Sequence, residues 1–137
     1  VVVKYRINNV ILAETLARSQ TTDMAEMTSC LQFCLFAQRA SPWWVGDLVL
    51  SIEERFGDDF WQDVPDGFSI DAITRWCAVA RKVPRQNRRS ELSWTHHAIV
   101  ANLDQAIQRQ LLAHAVVECL PSGEFRKYVC QWKKGNL

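Results

Sequence analysis

Apolar side chains recur at three- and four-residue intervals along most of this chain, and each run opens on a residue suited to cap a helix. That rhythm constrains the fold more than any other feature. Ser41 and Pro42 precede Trp44, Leu48, Ile52 and Phe56, with Val45 and Val49 beside that stripe, and Gly57 closes it. Serine is a good N-cap, proline a good first helical residue, and glycine a good left-handed stop. Ser69 opens a run in which Ile70, Ile73, Cys77 and Ala80 form the inner face, flanked by Trp76. Pro84 ends it, because proline disfavours helical geometry in the residue before it. Ser93 leads into Trp94, Ala98 and Ala101, and Asp104 into Ile107, Leu111, Leu112 and Ala115. Beyond Pro121, a helix from about Ser122 turns Phe125, Val129 and Trp132 inward. Upstream, Asp23 and Glu26 form a capping box for a run through Met24, Met27, Leu31, Cys34 and Leu35, ending near Arg39. The expected fold is all-α, a compact bundle of about six short helices. The opening is ambiguous: VVVKYRI could form a short N-terminal strand and NNVILAETLAR a short helix.

A length of 137 residues suits one domain, 1–137, with residues 1–22 as a variable N-terminal segment. The hydrophobic fraction of 48% and charged fraction of 23% exclude low-complexity disorder and a coiled-coil rod. No apolar run approaches the roughly 18 residues of a membrane span, and the first ten residues do not resemble a secretory leader. Five cysteines, an odd number, fall in apolar stretches. They are expected to be reduced thiols acting as small hydrophobes in a cytoplasmic protein.

Sixteen bases against fifteen acids suggest neutrality, but the charges are segregated. Asp47 to Asp71 holds eight acids and one base, for a net of −7; Ala72 to Ser90 holds six bases and no acid, for +6. Sign asymmetry of this kind points to nucleic acid or an acidic partner. Five of the six bases are arginines, whose planar fork suits phosphate and guanine edges. Arg75 and Lys82 lie two turns apart on one face, with Asp71, Thr74 and Ala78. Arg126, Lys127, Lys133 and Lys134 add a basic C-terminal stretch.

The region 42–128 resembles a bacterial helical family that includes the LmbU-type regulators and is distantly similar to the helix-turn-helix core of ParB and KorB. The resemblance is carried by Trp43, Trp44, Gly46 and Asp47, then Glu53 to Gly57, then Ser69, Ala72 and Ile73 with Val79 to Pro84. Its most specific part is an Arg-Arg-x-x-Leu-Ser-x-x-His-His signature at Arg88, Arg89, Leu92, Ser93, His96 and His97. The resemblance implies a DNA-binding regulator in which the Ser69 helix reads DNA. Two departures stand out. The loop from Asp58 to Phe68 is longer than a standard helix-turn-helix turn, and the family's late Ser-Val-Arg-Glu-Leu-Arg reads Pro121 to Arg126 here, losing its first arginine.

The expected DNA-binding residues are therefore Thr74, Arg75, Arg81, Lys82, Arg85, Arg88, Arg89 and His96, with double-stranded DNA as partner and a homodimer as the acting form. His96 is expected to be exposed, and His97 packed with a ring nitrogen on a loop carbonyl. No metal or cofactor is expected: adjacent histidines on a helix point about 100° apart, and Cys30 and Cys34 lack a second pair. No phosphate loop, nucleophile elbow or HExxH occurs, so catalysis is not expected. Five of six tryptophans lie between positions 43 and 94, which suggests an aromatic core with Trp43 and Trp61 partly exposed. The alternative reading is a protein-interaction module using the acidic face and exposed tryptophans.

Overall fold

The computed structural model describes residues 24–136, and the suggested N-terminal strand and the Asp23 cap lie outside them. Every described element is helical. Helix α1 spans Met24–Phe56, α2 Ile70–Lys82, α3 Trp94–Val100, α4 Gln105–Val117 and α5 Ser122–Asn136. Short 3₁₀ helices cover Gly57–Gln62 and Arg85–Asn87. The chain divides into two units, Val1–Gln38 and Arg39–Leu137. In the first unit, Met24, Leu31, Phe33, Leu35 and Phe36 are exposed, and the Phe33 and Phe36 rings lie 6.5 Å apart. Among the described residues, the buried side chains belong to the second unit, which begins at Arg39.

Among the described residues there are five α-helices rather than six, because two expected helices merge. The runs expected to end near Arg39 and to restart at Ser41 are one helix, with Pro42 inside it. An interior proline removes one backbone hydrogen bond and tends to kink a helix, yet here the helix runs on to Phe56 through Pro42. The turn before it is tied down from outside: Arg39 Nη1 donates to the carbonyls of Ser90 and Glu91, each at 3.4 Å.

The inner face of α1 also differs from expectation. Trp43, Gly46 and Val49 are buried, whereas Trp44, Leu48 and Phe56 of the expected inner stripe are exposed. Gly46 explains the phase. A Cβ there would lie 2.8 Å from the Trp76 carbonyl oxygen and 3.2 Å from the Ala80 Cβ. The backbones of α1 and α2 approach so closely that only glycine fits, and this contact decides which side of α1 faces inward. Trp43, expected to be partly exposed, is buried for the same reason.

The remaining boundaries follow local chemistry. Gly57 takes φ +71° and ends α1, and Ser69 Oγ accepts from the Ala72 amide at 3.3 Å to start α2. Ile73, Cys77 and Ala80 are buried as the spacing predicts, but Ile70 is 56% exposed, lying in the first turn before the helix reaches its neighbours. Phe60 and Trp61 do pin the long loop: both pack around Val49, Ile73 and Cys77, and Trp61 Nε1 donates to Glu53 Oε1 at 2.6 Å. Of the cysteines whose side chains are described, only Cys77 is buried; Cys34, Cys119 and Cys130 are exposed free thiols. Burial raises the Cys77 thiol pKa, with Glu53 adding to the effect.

Helices α3, α4 and α5 share a separate apolar cluster. Leu92, Val100, Leu111, Leu112, Ala115, Phe125 and Val129 are its buried members. No helix among the described residues is long and apolar enough to cross a membrane.

Candidate nucleic-acid interface

The eight expected DNA-contacting residues separate into two groups. Arg88 and His96 are occupied within the fold. Arg88 Nη1 and Nη2 donate to the two Asp47 oxygens at 2.6 and 3.0 Å. Its Nε donates to the Val83 carbonyl, its Nη2 also reaches that of Ala80, and the guanidinium lies 4.2 Å over the Trp43 ring. Such a bidentate pair, stacked on an aromatic face, leaves no donor edge for phosphate. Arg88 is a bolt between α1 and the end of α2. The acids of 47–71 are thus not all solvated as a charge run suggests.

His96 is 6% exposed, which corrects the expectation of a surface imidazole. Its Nδ1 accepts from the Ser93 amide at 3.3 Å in a capping box, and its Nε2 lies 2.8 Å from the Leu120 carbonyl. The network places the ring proton on Nε2. Its ring also packs on Phe125, at 5.5 Å between centroids. His96 therefore joins the start of α3 to the turn before α5.

His97 behaves as expected and more. Its Nδ1 donates to the Ser93 carbonyl at 2.8 Å, its Nε2 accepts from the Arg89 amide at 2.9 Å, and its ring meets Trp43 edge-on at 5.1 Å. Desolvation by burial holds its pKa down to about 4, against the opposing bond to the Ser93 carbonyl. The signature Arg-Arg-x-x-Leu-Ser-x-x-His-His is accordingly a structural clasp, each of whose named residues except the Arg89 side chain is engaged within the fold.

The other six residues are at least partly accessible. Arg75 is exposed and has no ion pair among the described residues. Thr74 is exposed and returns its hydroxyl to the Ile70 carbonyl at 2.8 Å. Arg81 pairs with Glu53 at 2.9 Å and Arg89 with Glu91 at 3.6 Å. Lys82 donates to Asn102 Oδ1 at 2.6 Å. Arg85 lies 3.9 Å from Asp47, the carboxylate that Arg88 already holds.

A second arrangement went unread in the sequence. Helices α4 and α5 are joined by four residues, Glu118 to Pro121, and Cys119 stands at φ +51°. The Cys119 amide donates to the Val116 carbonyl at 3.2 Å and the Leu120 amide to that of Ala115 at 3.0 Å. These two bonds around a left-handed residue make a Schellman stop. Ala115 and Phe125 are fully buried on either side of the turn, and Leu120 packs between them in the same cluster. A short turn with a left-handed residue thus joins two helices that share a core. On α5, Arg126, Lys127, Gln131 and Lys134 are exposed, and Arg126 has no ion pair among the described residues. Lys127 meets Glu124 at 3.5 Å. The readable signal was the spacing of Ala115, Leu120 and Phe125; it was masked because cysteine occupies the position where glycine usually marks such a turn.

No group of three or more His, Cys, Asp or Glu side chains able to hold a metal ion occurs among the described residues. No family model and no solved structure matches the chain. Over 91 residues, 66% of its length, it is 30% identical to "Transcriptional regulator NovE" of Streptomyces niveus. The matched stretch is 42% of that relative, so the chain spans less than half of the curated protein it matches. The relationship to a bacterial regulator expected from the motifs holds at that level: across 66% of its length, the chain is similar to a bacterial transcriptional regulator.

Proposed function

We propose that this chain is a non-enzymatic, double-stranded-DNA-binding module of a transcriptional regulator, with α4 and α5 as a helix-turn-helix and α5 as the reading helix. The observation that carries this reading is the Glu118–Pro121 turn, with its left-handed Cys119 and flanking Ala115 and Phe125. It supplies what a groove-reading pair needs: a short, fixed turn and a second helix free on one side. From Ser122 to Asn136 there are four bases and one acid, for a net of +3. Gly123 and Arg126, near the start of α5 and both exposed, occupy the region of a reading helix that meets base edges. The similarity to a protein named as a transcriptional regulator adds independent support.

The test is selection of bound sequences from a random duplex pool, followed by the same selection with Arg126→Gln. A bidentate arginine–guanine contact is worth about 1–3 kcal/mol of discrimination, so preference at one position should relax about 5- to 150-fold. Failure of the wild-type chain to bind any duplex, even at low salt, refutes the reading. Charge reversal at Arg88 is no test, because it breaks the bolt to Asp47.

A second reading, contact with another protein chain, is favoured by the exposure of Leu48, Phe56, Phe68 and Ile70. A homodimer formed through this surface would give a concentration-dependent mass in sedimentation, abolished by Leu48→Asp. An invariant monomer would remove it.

A further inference from the structure

The segment from Lys82 to Asn87 is latched onto the start of α4 at both ends. At one end, Gln108 Nε2 lies 3.0 Å from the Lys82 carbonyl and within 3.2 Å of those of Ala101 and Leu103. At the other, Asn87 Nδ2 donates to the Gln105 carbonyl at 3.0 Å and to Gln108 Oε1 at 3.1 Å. Gln108 and Asn87 are each 1% exposed, so this amide pair is an interior lock. The same segment carries two exposed cations, Lys82 and Arg85. Lys82 is exposed, and among the described residues its ammonium meets only the neutral amide of Asn102, two residues before the Asp104 that starts α4. The Arg85 side chain is 83% exposed, and its nearest carboxylate is the one committed to Arg88.

In helix-turn-helix proteins the helix before the reading helix crosses the sugar–phosphate backbone. Here that helix is α4, and two cations that no strong carboxylate partner holds are fixed beside its first residues. We propose that Lys82 and Arg85 form a phosphate clamp, binding the backbone of duplex DNA without regard to base while α5 reads the groove. The inference rests on the helix-turn-helix reading. It assigns the basic run of 72–90 a different task from the groove-reading one that its charge suggests. Arg81 and Arg88, in the same run, are held by Glu53 and Asp47 and lie outside the clamp.

The experiment compares three proteins: wild type, Lys82→Gln/Arg85→Gln and Arg126→Gln/Lys127→Gln. Each is titrated with a duplex selected by the wild type and with a scrambled duplex, between about 50 and 200 mM salt. Each neutralised phosphate contributes about −0.9 to the slope of log affinity against log salt, so the clamp variant should lose about 1.8 from that slope. Its affinity for both duplexes should fall by the same factor. Its thermal midpoint should stay within about 2 °C of wild type, because both side chains are exposed. The α5 variant should instead compress the preference for the selected duplex.

A clamp variant with an unchanged slope overturns the clamp and leaves the α5 reading standing. So does a clamp variant that changes the preference between duplexes, because that would make these side chains base readers. A wild-type chain that binds neither duplex overturns both proposals together.

Discussion

Helices α2 and α5 are both short and basic, yet the fold treats their cations differently. Around α2, acids from α1 claim two of the arginines: Glu53 holds Arg81, and Asp47 holds Arg88 just beyond the helix. Around α5, the inward contacts are apolar, through Phe125 and Val129, and among the described residues its only ion pair is Lys127 with Glu124 on the helix itself. The density of bases in a sequence therefore says little about how many can meet a ligand. What decides it is whether another element carries carboxylates to the same place. The denser run, +6 over 72–90, loses part of its charge to the −7 run before it, and the sparser C-terminal run keeps most of its own.

The two regions should also fail differently. The largest effect is expected at Phe125, which is fully buried among Leu92, Leu111, Leu112 and Val129. Phe125→Ala should lower stability by about 3–5 kcal/mol, from lost transfer energy and the cavity left behind. Urea unfolding at neutral pH measures this. A loss under about 1 kcal/mol would mean that the α3–α5 cluster is not the apolar core described above.

Acid should act next, through His97 between Trp43 and the Arg89 amide. Its pKa of about 4 in the fold lies below the ordinary 6.5, so the unfolded chain binds the proton more readily. This contribution to stability is whole above about pH 6.5 and is lost as pH falls toward 4. At its limit the loss is on the order of 3 kcal/mol. Unfolding free energies measured from pH 7 to 4 check the window. A His97 imidazole that titrates near 6.5 in the folded protein by NMR would sink the assignment.

Arg88→Ala should cost about 2–3 kcal/mol, since it leaves the Asp47 carboxylate, a quarter exposed, without its bidentate partner. Arg85→Ala, whose contact with the same carboxylate is long and open to solvent, should cost no more than about 0.5 kcal/mol. Equal effects at the two sites would erase the distinction between a bolted and an available arginine.

What could be read from sequence was whatever is decided locally. The starts at Ser69 and Ser93 and the stop at Gly57 rest on side chains acting within a turn of themselves, and they stand where spacing puts them. The inner face of α1 was not legible, because it is set by the fit of Gly46 against Trp76, thirty residues later. The Arg88–Asp47 bolt spans 41 residues and is invisible for the same reason. His96 was expected at the surface and His97 packed; the fold buries both, sending one to the Leu120 turn and the other to Trp43. Two of the eight expected interface residues, Arg88 and His96, thus became framework, and the turn on which the proposed reading helix depends carried no glycine to announce it.

That missing glycine leads to the smallest of the expected effects. Cys119 holds φ +51°, a conformation that a residue with a Cβ adopts at a cost and glycine adopts freely. The Leu120–Ala115 and Cys119–Val116 bonds keep it there, and the Cys119 thiol is exposed, so its removal leaves no cavity. Cys119→Gly should relieve the strain but enlarge the freedom of the unfolded chain, for a net gain of about 0.5–1 kcal/mol. Cys119→Val should lose at least as much, because β-branching makes the left-handed region worse. If the proposed reading helix is set by this turn, neither change should alter which duplex is preferred, since both leave the α5 side chains untouched. A glycine variant less stable than wild type would show that the thiol's 3.7 Å contact with the Val116 carbonyl, rather than the backbone alone, holds the turn.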